Sequence, residues 1–245
     1  MSDFDSNAKS RWGTSAARTG EMRIDQGLRS YMLGVYNYMT TGLALTGAVA
    51  LGINLIADTP LGFAIQRGPL HWIVSLAPIA FVFFFSLRIN QMAASTARTV
   101  FLLFSATMGL SLSTLMTVYT GQSVARAFFI TAAAFGSLSI YGYTTKRDLS
   151  AFGSFLVMGL FGLIIASLVN IFMQSGTFQF AISLLSVLIF AGLTAWDTQS
   201  IKDMYYENDD FEVATKKSIF GALQLYLDFI NIFISVLQLT GSRND

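Results

Sequence analysis

Charge is distributed unevenly along this 245-residue chain, in short clusters separated by long neutral, apolar runs. Residues 30–57, 68–87, 99–125, 127–145 and 149–196 contain no Asp, Glu, Lys or Arg, and residues 218–242 contain only Asp228. About 20 mostly apolar residues carry a helix across the hydrocarbon of a bilayer. The run 149–196 is long enough for two such helices. Its natural break is QSGT at 174–177, since Gly and small polar residues mark turns. The pattern predicts seven spans, near 31–57, 70–87, 99–119, 125–144, 149–173, 178–200 and 218–240. The expected fold class is all-α, a polytopic membrane protein built as a seven-helix bundle. A membrane domain at 30–241 follows a polar arm at 1–29.

Composition agrees with this reading. The chain is 53% hydrophobic and only 12% charged, against about 25% charged residues in soluble domains. The arm lacks the short apolar core and small-residue cleavage site of a signal peptide. Asp3, Asp5, Glu21 and Asp25 also argue against a transit peptide, so the first span is expected to act as its own insertion signal. There is no cysteine, which excludes disulfides, thiolate metal sites and cysteine nucleophiles. Net charge is +1 and selects no partner; none is expected among nucleic acids.

The basic residues set an orientation. Lys9, Arg11, Arg18, Arg23, Arg29, Arg88, Arg98, Lys146, Arg147, Lys202, Lys216 and Lys217 fall on one side of a seven-span bundle. Arg67, Arg126 and Arg243 fall on the other. The positive-inside rule then puts the N-terminus in the cytosol and the C-terminus outside. A six-span arrangement would scramble this division.

Two carboxylates interrupt the apolar spans: Asp197 in FAGLTAWDTQS and Asp228 in GALQLYLDFINIF. Charge in hydrocarbon costs a few kcal/mol or more, so such residues mark ion paths, proton relays or gates. Asp197 lies about one turn from the expected cytosolic end of span six, and Asp228 roughly 15 Å into span seven. The depth mismatch of about 10 Å is within what helix tilt and uncertain span ends absorb, so the two are expected to meet. Span seven also carries Gly221, Gln224, Asp228, Asn231, Ser235 and Gln238 at alternating steps of three and four, on one helical face. Such a stripe serves either as glue between helices or as the lining of a path. With a carboxylate in its middle, the expectation is a path lined by Gln224, Asn231 and Ser235. Arg88, at the cytosolic end of span two, is either a snorkelling anchor or a counter-charge for the aspartates. His71, at the external edge of span two, is read as an interface residue. Asp148 is read as the cap of span five. The acids Asp203, Glu207, Asp209, Asp210 and Glu212 form a solvated loop whose spacing matches no EF-hand.

GLTAWDTQSIKDMY followed by GALQLYLDFINIFISVLQLTG strongly resembles the Bax-inhibitor family, also called the transmembrane Bax-inhibitor-motif family. The turn GYTTKRDLSAFGSF fits as well. The resemblance covers about Gly27 to Gly241 and is nearest the bacterial inner-membrane branch, with Trp196 where family members often have Tyr. It implies a seven-helix bundle with a central span, acting as a pH-sensitive calcium leak. In that picture Asp197 and Asp228 share a proton and latch Arg88. It also implies protein partners, a membrane protease among them, and location in a bacterial inner membrane.

The residues support such a mechanism. Two adjacent carboxylates in low dielectric cannot both ionise cheaply and titrate as a pair. Holding a proton, the pair would join spans six and seven and shut the cytosolic mouth; losing it, the pair would part. Calcium takes hard oxygen ligands, which Asp197 and Asp228 supply, with too few for a tight store. No cofactor is expected, and Ca2+ enters only as the transported ion. Enzyme function is not expected, because an intramembrane aspartyl protease would show Gly-x-Gly-Asp where this chain has LYLD. A retinal protein would need a lysine inside span seven, which has none after Lys217. A proton-coupled transporter would concentrate its substrate against a gradient. The alternative to a leak is a non-transporting regulator that binds a membrane protease or another protein through residues 1–29 and 202–217.

Overall fold

The computed structural model describes residues 4–68 and 70–244, with side chains from Gln26 onward except at Pro69 and Asn90. It is helical throughout its length: α1 (Phe4–Leu55), α2 (Pro60–Gln66), α3 (Leu70–Arg88), α4 (Ala94–Leu112), α5 (Leu115–Val118), α6 (Gly121–Thr144), α7 (Ser150–Met173), α8 (Gly176–Asp203) and α9 (Phe211–Thr240). Seven helical stretches are long and apolar enough to cross a membrane: Gln26–Leu55, Leu70–Arg88, Ala94–Val118, Gly121–Thr144, Ser150–Met173, Gly176–Asp203 and Phe211–Thr240. Each coincides with an expected span. The largest difference is in the last, which begins seven residues earlier than the charge pattern implied. Lys216 and Lys217 sit inside the helix, with Glu212 and Asp209 as their ion-pair partners. The polar arm continues into the first span as one helix, while the side chains of residues 1–25 lie outside the described part.

Most helices keep one face for lipid, but α9 does not. Nearly every turn from Ser218 to Leu237 is buried, and α9 packs against α8, α1, α6 and α4. It is the axis of the bundle. The peripheral helices are α3, which leans on α4, and α7, which leans on α8; both carry many exposed Phe, Leu and Ile side chains. That is the expected arrangement in hydrocarbon, where apolar surface gains nothing by being hidden and small residues decide where helices meet. Gly142 on α6 meets the Ala195 carbonyl of α8 so closely that any Cβ would collide with that backbone. Gly221 on α9 likewise admits Ile201 of α8. The chain end is tied as well. Thr120 N–H donates to the Ser242 carbonyl (3.1 Å) and Asn244 N–H to that of Val118 (2.9 Å). These bonds pin the end of α9 to the α5–α6 turn. The bundle thus has a basic end, with the α6–α7 and α8–α9 turns, and a far end, with the C-terminus.

Candidate functional site

The antiparallel contact of α8 with α9 sets the register of the site. Towards the far end, the hydroxyls of Ser186 and Ser235 are hydrogen-bonded at 2.7 Å. One turn on, the Ser183 hydroxyl donates to Gln238 Oε1 at 2.7 Å. Gln179 Nε2 donates to the same oxygen (3.1 Å), and Asn170 Nδ2 of α7 donates to Gln179 Oε1 (2.8 Å). Extending this register towards the basic end brings Asp197 level with Gln224 and leaves Asp228 one turn away. Helical side chains tilt towards their own N-terminus. Because α8 and α9 run in opposite directions, the two carboxyls tilt towards each other and close that turn. They lie within hydrogen-bonding reach of each other. The register of α8 on α9 reduces the expected depth mismatch to the one turn between Gln224 and Asp228.

Both carboxyls are buried, Asp197 at 7% exposure and Asp228 at 4%. Two carboxyl oxygens can hydrogen-bond to each other only when one group is protonated. The pair is not fully satisfied. Asp228 Oδ2 and Gln224 Oε1 are buried without a hydrogen-bond partner among the described residues. Each such orphan costs about 1–3 kcal/mol.

Beside the pair runs a chain of hydroxyls that sequence reading did not single out. Tyr36 of α1 bonds Ser139 of α6 (2.6 Å), Ser139 bonds Thr198 of α8 (3.0 Å), and Thr198 donates to the Thr194 carbonyl (2.7 Å). Thr198 follows Asp197 directly, so three helices are linked to the turn that carries the carboxyl. Gln199, next in sequence, clamps the α6–α7 turn: its Oε1 accepts from Leu149 N–H and its Nε2 donates to the Arg147 carbonyl, both at 2.8 Å. A second node joins Tyr226 of α9 to Thr46 of α1 at 2.7 Å, with Thr46 donating to the Ser105 carbonyl of α4 at 2.8 Å. Serine, threonine and tyrosine are too common in the neutral runs to be flagged. The one visible signal was Gln199, an amide two residues after the span-six carboxylate.

The remaining expected residues divide. Arg88 is exposed at the end of α3 and forms no ion pair with either aspartate among the described residues. Its helix packs mainly on α4, and the Ile89–Gln91 turn that follows it touches α9. Of the three residues expected to line a path, only Gln224 keeps a free oxygen beside the carboxyls. Asn231 donates to its own helix at the Leu227 carbonyl (2.8 Å), and Ser235 is engaged with Ser186. No group of three or more Asp, Glu or His side chains able to hold a metal ion occurs among the described residues. The pair therefore offers a cation two carboxyls and neighbouring amides rather than a closed cage. Asp148 accepts the Ser150 N–H (2.8 Å) in the turn just before α7, whose N-cap position is taken by Leu149 rather than Asp148. His71 lies 3.5 Å from the Thr114 hydroxyl, away from the pair.

Comparison with known proteins gives one consistent family. Residues 28–245 match the model of a family described as inhibitor of apoptosis-promoting Bax1. The chain is 47% identical to an uncharacterized protein of Rickettsia prowazekii, over 91% of this chain and 93% of that one. It is 44% identical to the inner membrane protein YbhL of Escherichia coli K12, over 89% and 93%. It is 34% identical to an uncharacterized membrane protein of Streptococcus pyogenes, over 90% and 96%.

Proposed function

The chain belongs to the Bax inhibitor family of membrane proteins, and from that premise we propose that it is a proton-gated cation leak of a bacterial inner membrane. The basic end is cytosolic in this reading, following the positive-inside rule. The observation that carries it is the contact of Asp197 and Asp228, buried between the axial helix and its main neighbour. With one shared proton the pair ties α8 to α9, which is the shut state. When the proton leaves, two buried negative charges repel and the basic-end halves of the helices separate. The freed oxygens, with Gln224, then form a passing site for Ca2+, which prefers hard oxygen ligands. The few ligands suit transit rather than storage. Arg88 has no part in the shut arrangement. A latching role belongs to the open state and requires the end of α3 to move towards α9.

The test is calcium flux into liposomes holding the purified protein, between pH 6 and 8. The parent is expected to conduct more as pH rises. In Asp197→Asn and Asp228→Asn the dependence is expected to vanish, since an amide supplies the bridging proton permanently. Both variants conducting with the parent's pH response would place the gate elsewhere.

A second reading, a non-transporting regulator of a membrane protein, is favoured by a different observation. Tyr206 and Phe211 project from the acidic α8–α9 connection at 60% and 87% exposure. In that reading the pair sets the conformation of this connection. No flux above empty liposomes at any pH would favour it.

A further inference from the structure

α1 and α6 both lean on α9 yet barely touch each other, which leaves a lateral fissure in the wall of the bundle. Its basic-end half is a groove of about 460 Å³ between Arg29, Leu33 and Tyr36 on one side and Phe135, Gly136 and Tyr143 on the other. Its lining is apolar except at two levels. Arg29 stands at the mouth, exposed and without an ion pair among the described residues. Near it, Lys202 donates to the Tyr143 carbonyl (3.0 Å) and lies 5.6 Å from the centre of the Tyr143 ring. At the inner end, the hydroxyls of Tyr36 and Ser139 bond each other.

The dimensions fit one leaflet. Arg29 to Tyr36 rises about 10 Å and Phe135 to Tyr143 about 12 Å at 1.5 Å per residue, against a half-bilayer of about 15 Å. The groove opens sideways between two spanning helices, so its medium is lipid. A hydrocarbon-lined slot with a guanidinium at its rim is complementary to an acyl chain beneath an anionic head-group.

We propose that this groove is a binding site for one anionic phospholipid, its phosphate on Arg29 and one acyl chain between α1 and α6. The chain end abuts the Tyr36–Ser139–Thr198 hydroxyls and so lies against the turn that carries Asp197. This site does not depend on the leak reading and is tested without flux.

The measurement is native mass spectrometry of the full-length protein released from nanodiscs of phosphatidylglycerol mixed equally with phosphatidylcholine. The parent is expected to retain one phosphatidylglycerol in preference. Arg29→Gln is expected to lower that preference about fivefold, the typical worth of one cation near an anionic surface. Gly136→Leu is the second arm. A Cβ at Gly136 meets nothing within 4 Å, so leucine fills the slot without disturbing the fold, and retention is expected to be lost. Equal retention of both lipids by the parent, or unchanged retention in Gly136→Leu with an unaltered melting temperature, would overturn the site.

Discussion

The α8–α9 interface holds two polar clusters that differ in kind. In the far half, Ser183, Ser186, Ser235, Gln238 and Gln179 satisfy one another with neutral hydrogen bonds. In the basic half, two buried carboxyls, Asp197 and Asp228, face each other, and two nearby oxygens have no partner among the described residues. The same helices therefore carry satisfied neutral glue at one end and a buried pair of acids at the other. Polarity inside a membrane bundle does not by itself mark a path. What distinguishes the basic half is that its polar groups are ionisable and incompletely bonded.

The comparison breaks most severely if α8 is displaced from α6. Gly142→Val drives a side chain into the Ala195 carbonyl two residues before Asp197. Overpacking against backbone is expected to cost about 3 kcal/mol, read as a large fall in melting temperature in detergent. A variant with the parent's melting temperature would show that this contact does not hold the basic half. Next is Asp228→Asn, which should flatten a flux response that a one-proton gate can vary by up to about tenfold per pH unit. Its melting temperature should change little, because the amide keeps the bridge. A large loss of stability would mean that the pair is a structural element.

Gln238→Leu removes the shared acceptor of the far half. The expected cost is about 1–2 kcal/mol, independent of pH between 6 and 8, with the pH response of flux retained. If Gln238→Leu abolished that response, the two halves would act as one device. The smallest effect is outside the membrane. The hydroxyl and amide of Ser150 hold Asp148 below the ordinary carboxylate range. A lowered folded-state value stabilises above the unfolded value, near 3.9, and is lost as pH falls through the folded one. Melting temperature between pH 5 and 3 should therefore fall slightly less steeply in Asp148→Asn than in the parent.

Much of the site was legible from its own residues. Asp197 and Asp228 stand out because hydrocarbon makes carboxylates expensive; span six was read to within three residues at each end, while span seven begins seven residues earlier than expected. The stripe on α9 was legible as a face, but its division was not. Asn231 and Ser235 share the spacing of Gln224, and only the structure shows that Asn231 donates to its own helix at Leu227 while Ser235 pairs with Ser186 of α8. Arg88 was legible as a cation at the basic end of its span, whereas the absence of an ion pair with either aspartate among the described residues was not.

The sequence by itself determined seven spans, the polar face of the last helix and the identity of the two acids, because the length of a neutral run and the cost of a buried charge are local quantities. Only the tertiary structure decided that the carboxyls touch, that Tyr36, Ser139 and Thr198 stand beside them, and that α1 and α6 are parted by a groove. These depend on helix register and lateral order, which close backbone contacts such as Gly142 on Ala195 fix and which periodicity along one chain does not encode.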